Sequence, residues 1–211
     1  MASLKTITQF KSRLAGGGAR PNLFEVNIND FKFADAWDNE TFQFLCKAAA
    51  LPASTITPVE IPFRGRVLKV AGDRTFDTWA VTVINDEDFK LRTSFEQWMN
   101  GISKLSDASG ATTPNSYMGN AVVNQLGRST TRFGNTNSGD GDASGGGTSL
   151  EPLRSYYFDG IFPTEVSSID LSYESGDAIE EYTVTFQVQY WIAGSNTSTG
   201  SPSDQTGAVI V

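Results

Sequence analysis

The 211-residue sequence contains no histidine and only one cysteine, Cys46. Without histidine, it lacks the commonest general base, the Ser/His and Cys/His nucleophile systems and the commonest zinc ligand. A single cysteine forms neither an intrachain disulfide nor a thiolate cluster, and its apolar surroundings, FQFLCKAAALP, predict a buried side chain that fills space. We therefore expect no catalytic, cofactor-binding or metal site.

Positive charge is also scarce, with 16 Lys and Arg against 24 Asp and Glu, a net charge of −8. Nucleic-acid affinity comes mostly from neutralising phosphates, so the composition disfavours tight DNA or RNA binding. It favours a protein that stays soluble or avoids adhering to a polyanion. No apolar run approaches 18 residues, and no membrane-spanning helix is predicted.

Residues 1–18, MASLKTITQFKSRLAGGG, have no unbroken apolar core of the kind a secretory signal needs. Apolar residues instead recur at helical spacing, at Leu4, Ile7, Phe10 and Leu14. The pattern predicts a short amphipathic docking helix followed by a glycine linker, with a transit peptide as the alternative.

Three segments, 23–29, 79–85 and 182–191, alternate as half-buried strands do. In each, one face is apolar and the other carries Thr, Gln, Asn or Glu without Lys or Arg. Solvated strand faces usually include lysines that prevent edge pairing, so these polar faces are predicted to line something shared. The alternative is an accident of three short windows.

The segments between these strands give weaker signals. TFQFLCKAAALP suggests a strand that runs into small residues and stops at Pro52. In ASTITPVEIPF, Pro58 and Pro62 allow an extended arm or edge strand but argue against a central one. RGRVLKV then leads to a predicted turn at Gly72 and Asp73.

A helix is predicted over residues 88–102, with Asn85, Asp86 and Asp88 as candidate capping residues. Each side chain of its apolar stripe contributes roughly 1.5–3 kcal/mol when fully buried, so the helix must pack on something. The residues of this packing face are Leu91, Phe95, Trp98 and Met99.

The second half of the chain is uneven. Residues 103–155 are predicted to be a low-complexity insertion, mobile over 134–149, with one strand within 118–129. Order returns over 156–192, where two strands are expected around Pro163, and the tail 193–211 is predicted to be flexible. Many strands with one central helix indicate a mainly β sandwich or barrel.

Four stretches together resemble the tail tube proteins of contractile-tailed bacteriophages: ARPNLFEV, FQFLCKAAALP, VAGDRTFDTWAVTVINDED and FDGIFPTEVSSIDLSYESGDAIEEYTVTFQVQYWI. The likeness covers residues 19–102 and 156–192. Residues 103–155 and those beyond 192 look like lineage-specific decoration.

The resemblance implies a β-barrel or sandwich subunit with one flanking α-helix. It implies hexameric rings whose strands join in a shared inner β-barrel and which stack into a rigid tube, the conduit for DNA ejection. The implied partners are copies of the chain, the contractile sheath protein, baseplate and tail terminator proteins, the tape measure protein, and DNA that passes without tight binding. Such a protein is assembled in the host bacterial cytoplasm and resides in the virion.

Two surfaces follow as expectations from the resemblance together with the patterns above. One polar face of each of the three strands is expected to line the channel, and Pro52–Phe63 is expected to form an intersubunit arm. The lumen candidates are Glu25, Asn27, Thr82, Gln187 and Gln189. The apolar arm residues are Ile56, Val59, Ile61 and Phe63.

Three other hypotheses stay open at this point. One is the inner tube of a phage-derived contractile injection system that delivers protein. Another is a carbohydrate-binding β-sandwich module, for which the candidate stacking residues are Trp37, Trp79, Trp98, Tyr156 and Tyr157. An enzyme would need Asp86, Glu87 and Asp88 as paired carboxylates, and helix capping explains these residues sufficiently.

Overall fold

The computed structural model describes residues 6–14, 18–34, 36–128, 152–173 and 179–194. The chain forms two compact units. The smaller one contains the described residues within 1–25, 123–156 and 193–211, and the larger one those within 26–122 and 157–192.

Described residues form four helices and nine strands. The helices are α1 (Ile7–Arg13), α2 (Asn39–Leu45), α3 (Lys90–Ile102) and α4 (Pro114–Tyr117). The strands are β1 (Phe24–Ile28), β2 (Cys46–Ala49), β3 (Ser54–Phe63), β4 (Arg66–Phe76), β5 (Trp79–Ile84), β6 (Gly119–Leu126), β7 (Pro152–Val166), β8 (Glu181–Gln187) and β9 (Tyr190–Gly194). Seven strands make one sheet in the order β1-β6-β7-β8-β5-β2, with β9 also beside β7, while β3 and β4 pair only with each other. The predicted mainly β fold is confirmed.

The core of the larger unit lies between the β5–β8 pair and α3. Trp79, Val81 and Val83 of β5 are completely buried, and they pair in register with Phe186, Val184 and Tyr182 of β8. Helix α3 buries Leu91, Phe95 and Trp98, whereas Met99 is half-buried. The Trp98 Nε1 donates to the Tyr117 carbonyl oxygen at 2.7 Å, so even this buried indole satisfies its polar group.

Helix α3 begins at Lys90, and its predicted acidic caps are wrong. The N-cap is Phe89, in a left-handed conformation with φ 53°, and no side chain caps the helix. Asn85 instead donates to the Glu180 carboxylate at 3.0 Å, and Asp86 accepts from the Glu87 backbone N–H at 2.9 Å. These side chains therefore bond to groups other than the first N–H groups of the helix.

The strand predicted for TFQFLCKAAALP is wrong, because its first half belongs to α2. The Asp38 Oδ1 accepts from the N–H groups of Glu40 and Thr41 at 3.1 and 3.3 Å, which satisfies orphan donors at the helix start. Hydrogen bonds from the Thr41 hydroxyl and backbone hold the pKa of Asp38 below its usual value. The helix buries Phe42, and the chain then turns extended as β2.

Within the predicted low-complexity insertion 103–155, the structure contains α4 and β6, and β6 lies where one strand was expected, within 118–129. A single strand, β7, runs through the buried Pro163 where two strands were expected, and a register shift between Pro163 and Glu165 accommodates it. The predicted strand 182–191 is two strands, since β8 ends at Gln187 and β9 begins at Tyr190. The predicted mobile stretch 134–149 and the tail beyond 194 lie outside the described residues.

The smaller unit contains α1, whose residue bounds lie within those of the predicted docking helix. A capping box starts it, with Thr6 and Gln9 bonding each other's backbone N–H. Ile7 and Phe10 are 75% and 65% exposed, so the apolar stripe of this helix is unburied. Elsewhere in this unit, the Leu126 N–H donates to the Leu23 carbonyl oxygen at 2.9 Å.

Candidate assembly surface

Strands β3 and β4 form a hairpin, called the arm below, that stands apart from the main sheet. Its turn is Arg64–Gly65, with φ of 46° and 78°. At its base the Asp77 N–H donates to the Ala53 carbonyl oxygen at 3.0 Å, so the ends of the arm lie side by side. The turn predicted at Gly72 and Asp73 is wrong, because both residues lie inside β4.

Gly72 marks a bulge in the arm. The register shifts between Ile56 and Pro58, so that two residues of β4 oppose one of β3. A Cβ at Gly72 would lie 2.4 Å from the Thr57 carbonyl oxygen. Only glycine lets the two backbones approach this closely.

The two faces of the arm differ in chemistry, because residues directly opposite on paired strands share a face. The apolar arm face consists of Val59, Ile61, Phe63, Leu68 and Val70, together with Arg66. The proline arm face consists of Pro58, Glu60, Pro62, Val67, Lys69 and Ala71, with Glu60 and Lys69 paired at 3.3 Å. On the apolar arm face Phe63 is 67% exposed and Leu68 60%, so this surface is left wet in the single chain.

Sequence reasoning predicted an arm outside the core for one strand of this hairpin, and its place between subunits stays a prediction. Ile56, Val59, Ile61 and Phe63 lie on the arm, outside the main sheet, and are all exposed. The apolar residues of β4 were missed. Gly65 between two alternating apolar runs of similar length was the signal that predicts a hairpin.

The arm also differs from the rest of the chain in charge. Residues 54–76 carry four basic side chains, at Arg64, Arg66, Lys69 and Arg74, against the acidic Glu60 and Asp73, a net charge of +2. The remaining residues carry 12 basic and 22 acidic side chains, a net charge of −10. A basic, apolar arm therefore extends from a strongly acidic chain.

A second surface is the polar face of the β5–β8 pair. Thr82 opposes Thr183, with their hydroxyl oxygens 3.3 Å apart, and Ala80 opposes Thr185. Gln187 opposes Phe162 of β7. Near the other end, the Lys47 ammonium neutralises the Glu181 carboxylate. The face is made of small uncharged groups, and its acid at Glu181 is already paired.

The lumen candidates occupy different environments. Thr82 and Gln187 lie on the polar face of β5 and β8. Asn27 lies on β1, where its side-chain oxygen accepts from Asn39 at 3.0 Å and from Gln43 of α2. Glu25 is half-buried at the β1 position that belongs to the smaller unit, and Gln189 is exposed between β8 and β9. That these five residues face a channel stays a prediction.

Catalytic and binding alternatives find little support in the geometry. Trp79 and Trp98 are 0% exposed and cannot stack on a sugar. Burial raises the pKa of the Cys46 thiol to about 12, so it stays protonated and unreactive. Within the described ranges no three metal-ligating side chains come together. In the same ranges, no helix has the length and apolar character to cross a membrane.

A polar cavity of about 380 Å³ lies in the larger unit, beside Asp30, Asp159 and Tyr190. Its acids already have partners, because Asp30 pairs with Lys32 at 2.7 Å and Asp159 accepts from the Tyr190 hydroxyl. That hydrogen bond also raises the pKa of Tyr190. The cavity has the composition of a satisfied surface pocket.

The chain is similar in sequence to tail tube proteins of bacteriophages. The chain is 33% identical over 177 residues to the tail tube protein gp19 of Enterobacteria phage T4, covering 84% of this chain and 93% of that protein. It is 22% identical over 198 residues to the tail tube protein of Serratia phage KSP90, covering 92% and 99%.

Solved structures share the fold. A chain in the anti-feeding prophage cap structure has a TM-score of 0.55 at 14% identity, covering 85% of this chain and 92% of that one. A chain in the sheath–tube complex of the PVC extracellular contractile injection system has a TM-score of 0.52 at 14% identity, covering 91% and 99%.

The family described as phage tail tube protein matches residues 19–194. This match includes residues 103–155, so the expectation that they fall outside the likeness is wrong. The relatives are structural components of phage tails, and their function is structural and not catalytic. The chain belongs to the phage tail tube protein family and is a structural protein of the virion, not an enzyme.

Proposed function

We propose that six copies of this chain form a ring and that stacked rings build the rigid inner tube of a contractile tail, the conduit for DNA ejection. The observation that carries the proposal is the arm, whose apolar residues are exposed in a chain of the tail tube family. Exposed apolar patches of this kind mark interaction sites. Permanent interfaces usually bury more than about 2,000 Å², and in this proposal the arm adds to such an area between subunits.

The test is the assembly state with and without the arm. Because Ala53 and Asp77 are already hydrogen-bonded, residues 54–76 are replaceable by a two-residue Asn-Gly turn. Negative-stain microscopy and light scattering should show rings or tubes for the natural chain and folded monomers for the arm-less chain. A natural chain that stays monomeric under all conditions, seeding included, contradicts the proposal. Tubes from the arm-less chain contradict the role of the arm.

The channel wall is proposed to include Glu25, Asn27, Thr82, Gln187 and Gln189. The polar face of β5 and β8 supports this assignment, because it offers small uncharged groups. Phosphates slide past such a wall without binding. A Gln187→Lys substitution would add six positive charges to every ring. Tubes should still assemble, while DNA release slows, most at low salt. Release rates that ignore the substitution contradict this assignment.

The proposed partners beyond the ring are the sheath protein, the baseplate, the tail terminator, the tape measure protein and DNA that passes without tight binding. A structure of similar fold comes from the sheath–tube complex of an extracellular contractile injection system, which keeps the inner tube of such a device as a second candidate function. The identity of 33% to phage relatives, against 14% to the injection-system tube, favours the phage tail. Finding capsid and portal genes beside this one supports the phage tail, and their absence supports an injection device.

A further inference from the structure

The two edges of the arm are chemically different, and the cause is the placement of two prolines. In an antiparallel pair, alternate residues point their N–H and C=O groups towards the partner strand and away from it. Proline has no N–H to donate, so it is accommodated where that group would face outward. Pro58 and Pro62 are two such positions on β3.

The outward positions follow from the register. Pro58, Glu60 and Pro62 oppose Ala71, Lys69 and Val67, and opposite residues in such a ladder share the same orientation. Glu60 is therefore the one outward donor between two blocked positions of β3. The matching stretch of β4 has three outward N–H groups and no proline. The β4 edge is competent to receive another strand, and the β3 edge is not.

We infer that the arm joins a second copy of this chain through the outer edge of β4, with β3 on the outside. The inference rests on the proposed function and names the edge that makes the contact. Backbone hydrogen bonds along β4 supply strand addition, as in other proteins that add a strand to a sheet edge. The apolar arm face lies against the same neighbour and loses its water.

Charge identifies the occupant as another copy. The arm carries +2 and the rest of the chain −10, so another copy of this chain offers an acidic partner complementary to the arm. Arg66 on the apolar arm face and Lys69 on the other bring positive charge to both sides of the β4 edge. Assembly through this contact weakens as salt rises, because exposed charges are screened.

The experiment uses a matched pair of proline substitutions in the full chain. Lys69→Pro removes an outward N–H from β4, and Glu60→Pro removes the opposite outward N–H from β3. Neither interrupts the ladder between the strands. Lys69→Ala and Glu60→Ala control for the loss of the exposed ion pair, which contributes little. All four subunits should fold like the natural chain by circular dichroism.

We expect Lys69→Pro to reduce sedimentable polymer at least tenfold at low salt, and Glu60→Pro and both alanine variants to change it less than twofold. Normal assembly of both proline variants, or loss in Glu60→Pro alone, overturns the inference. If both proline variants lose assembly, amide hydrogen exchange decides which edge makes the contact. The exchange is measured on natural tubes, which are then quenched and dissolved. Protection at Val67, Lys69 and Ala71 supports the inference, and fast exchange there overturns it. If the natural chain itself forms no polymer, that result contradicts the proposed function and not the choice of edge.

Discussion

The β5–β8 pair and the arm are both antiparallel ladders with well-defined register, yet they occupy opposite environments. In β5 every second side chain is completely buried, whereas all ten residues of β3 are exposed. Both pairs are rich in Val, Ile and Thr, so strand propensity does not separate them. The difference lies in what covers each pair. Helix α3 packs on the first, whereas the second contacts the rest of the subunit at its base, where Phe76 meets Trp191 edge to face, and its apolar residues farther out are exposed.

The largest predicted contrast concerns aromatic residues of the two regions. Trp98→Ala should lower the free energy of unfolding by about 3–5 kcal/mol, because it empties a buried site and leaves the Tyr117 carbonyl without its donor. Phe63→Ala on the arm should change it by less than about 0.5 kcal/mol. Urea unfolding of the unassembled subunits measures both. Similar losses for the two variants would show that the arm packs on the subunit that carries it.

A smaller contrast is expected for two glycines with similar steric constraints. A Cβ at Gly119 would lie 2.1 Å from the Asp30 carbonyl oxygen, so Gly119→Ala should cost about 1–3 kcal/mol of global stability. Gly72→Ala meets the Thr57 carbonyl oxygen at 2.4 Å but should disturb only the arm. The denaturation midpoint reports the first effect, and faster amide exchange confined to 54–76 reports the second. A shifted midpoint for Gly72→Ala would break the comparison.

The contrast that is absent at neutral pH and develops only in alkali concerns the ionisation of the buried thiol. The folded-state pKa of Cys46, about 12, lies above its unfolded value of about 9.0, so unfolding is favoured progressively as pH rises from 9 towards 12. The free energy of unfolding of the natural chain should fall more steeply over this range than that of Cys46→Ala. At pH 8 Cys46 should resist maleimide, while a Phe63→Cys thiol on the unassembled arm reacts as a free thiol does. Parallel pH profiles for the natural and alanine chains would contradict the burial of this group.

The buried faces of β5 and β8 could be predicted from the sequence because each strand packs against the core on one side only. Trp79, Val81 and Val83 lie on one pleat face by geometry alone, and any fold that buries one of them buries all three. The spacing of Leu91, Phe95 and Trp98 worked for the same reason, since it places them on one stripe of a helix. Site assignment went less far, because a polar face has the same pattern whether it meets water, DNA or a neighbour.

The sequence by itself determined the mainly β class, the faces of β5 and β8, the stripe of α3 and the absence of histidine and thiol chemistry. Each depends on side-chain identity at a fixed period, which is local. The tertiary structure decided that TFQFL is helical, that β7 runs through Pro163, and that RVLKV returns along β3 to make the arm. Short apolar runs suit helices and strands almost equally, so contacts with distant residues select between them.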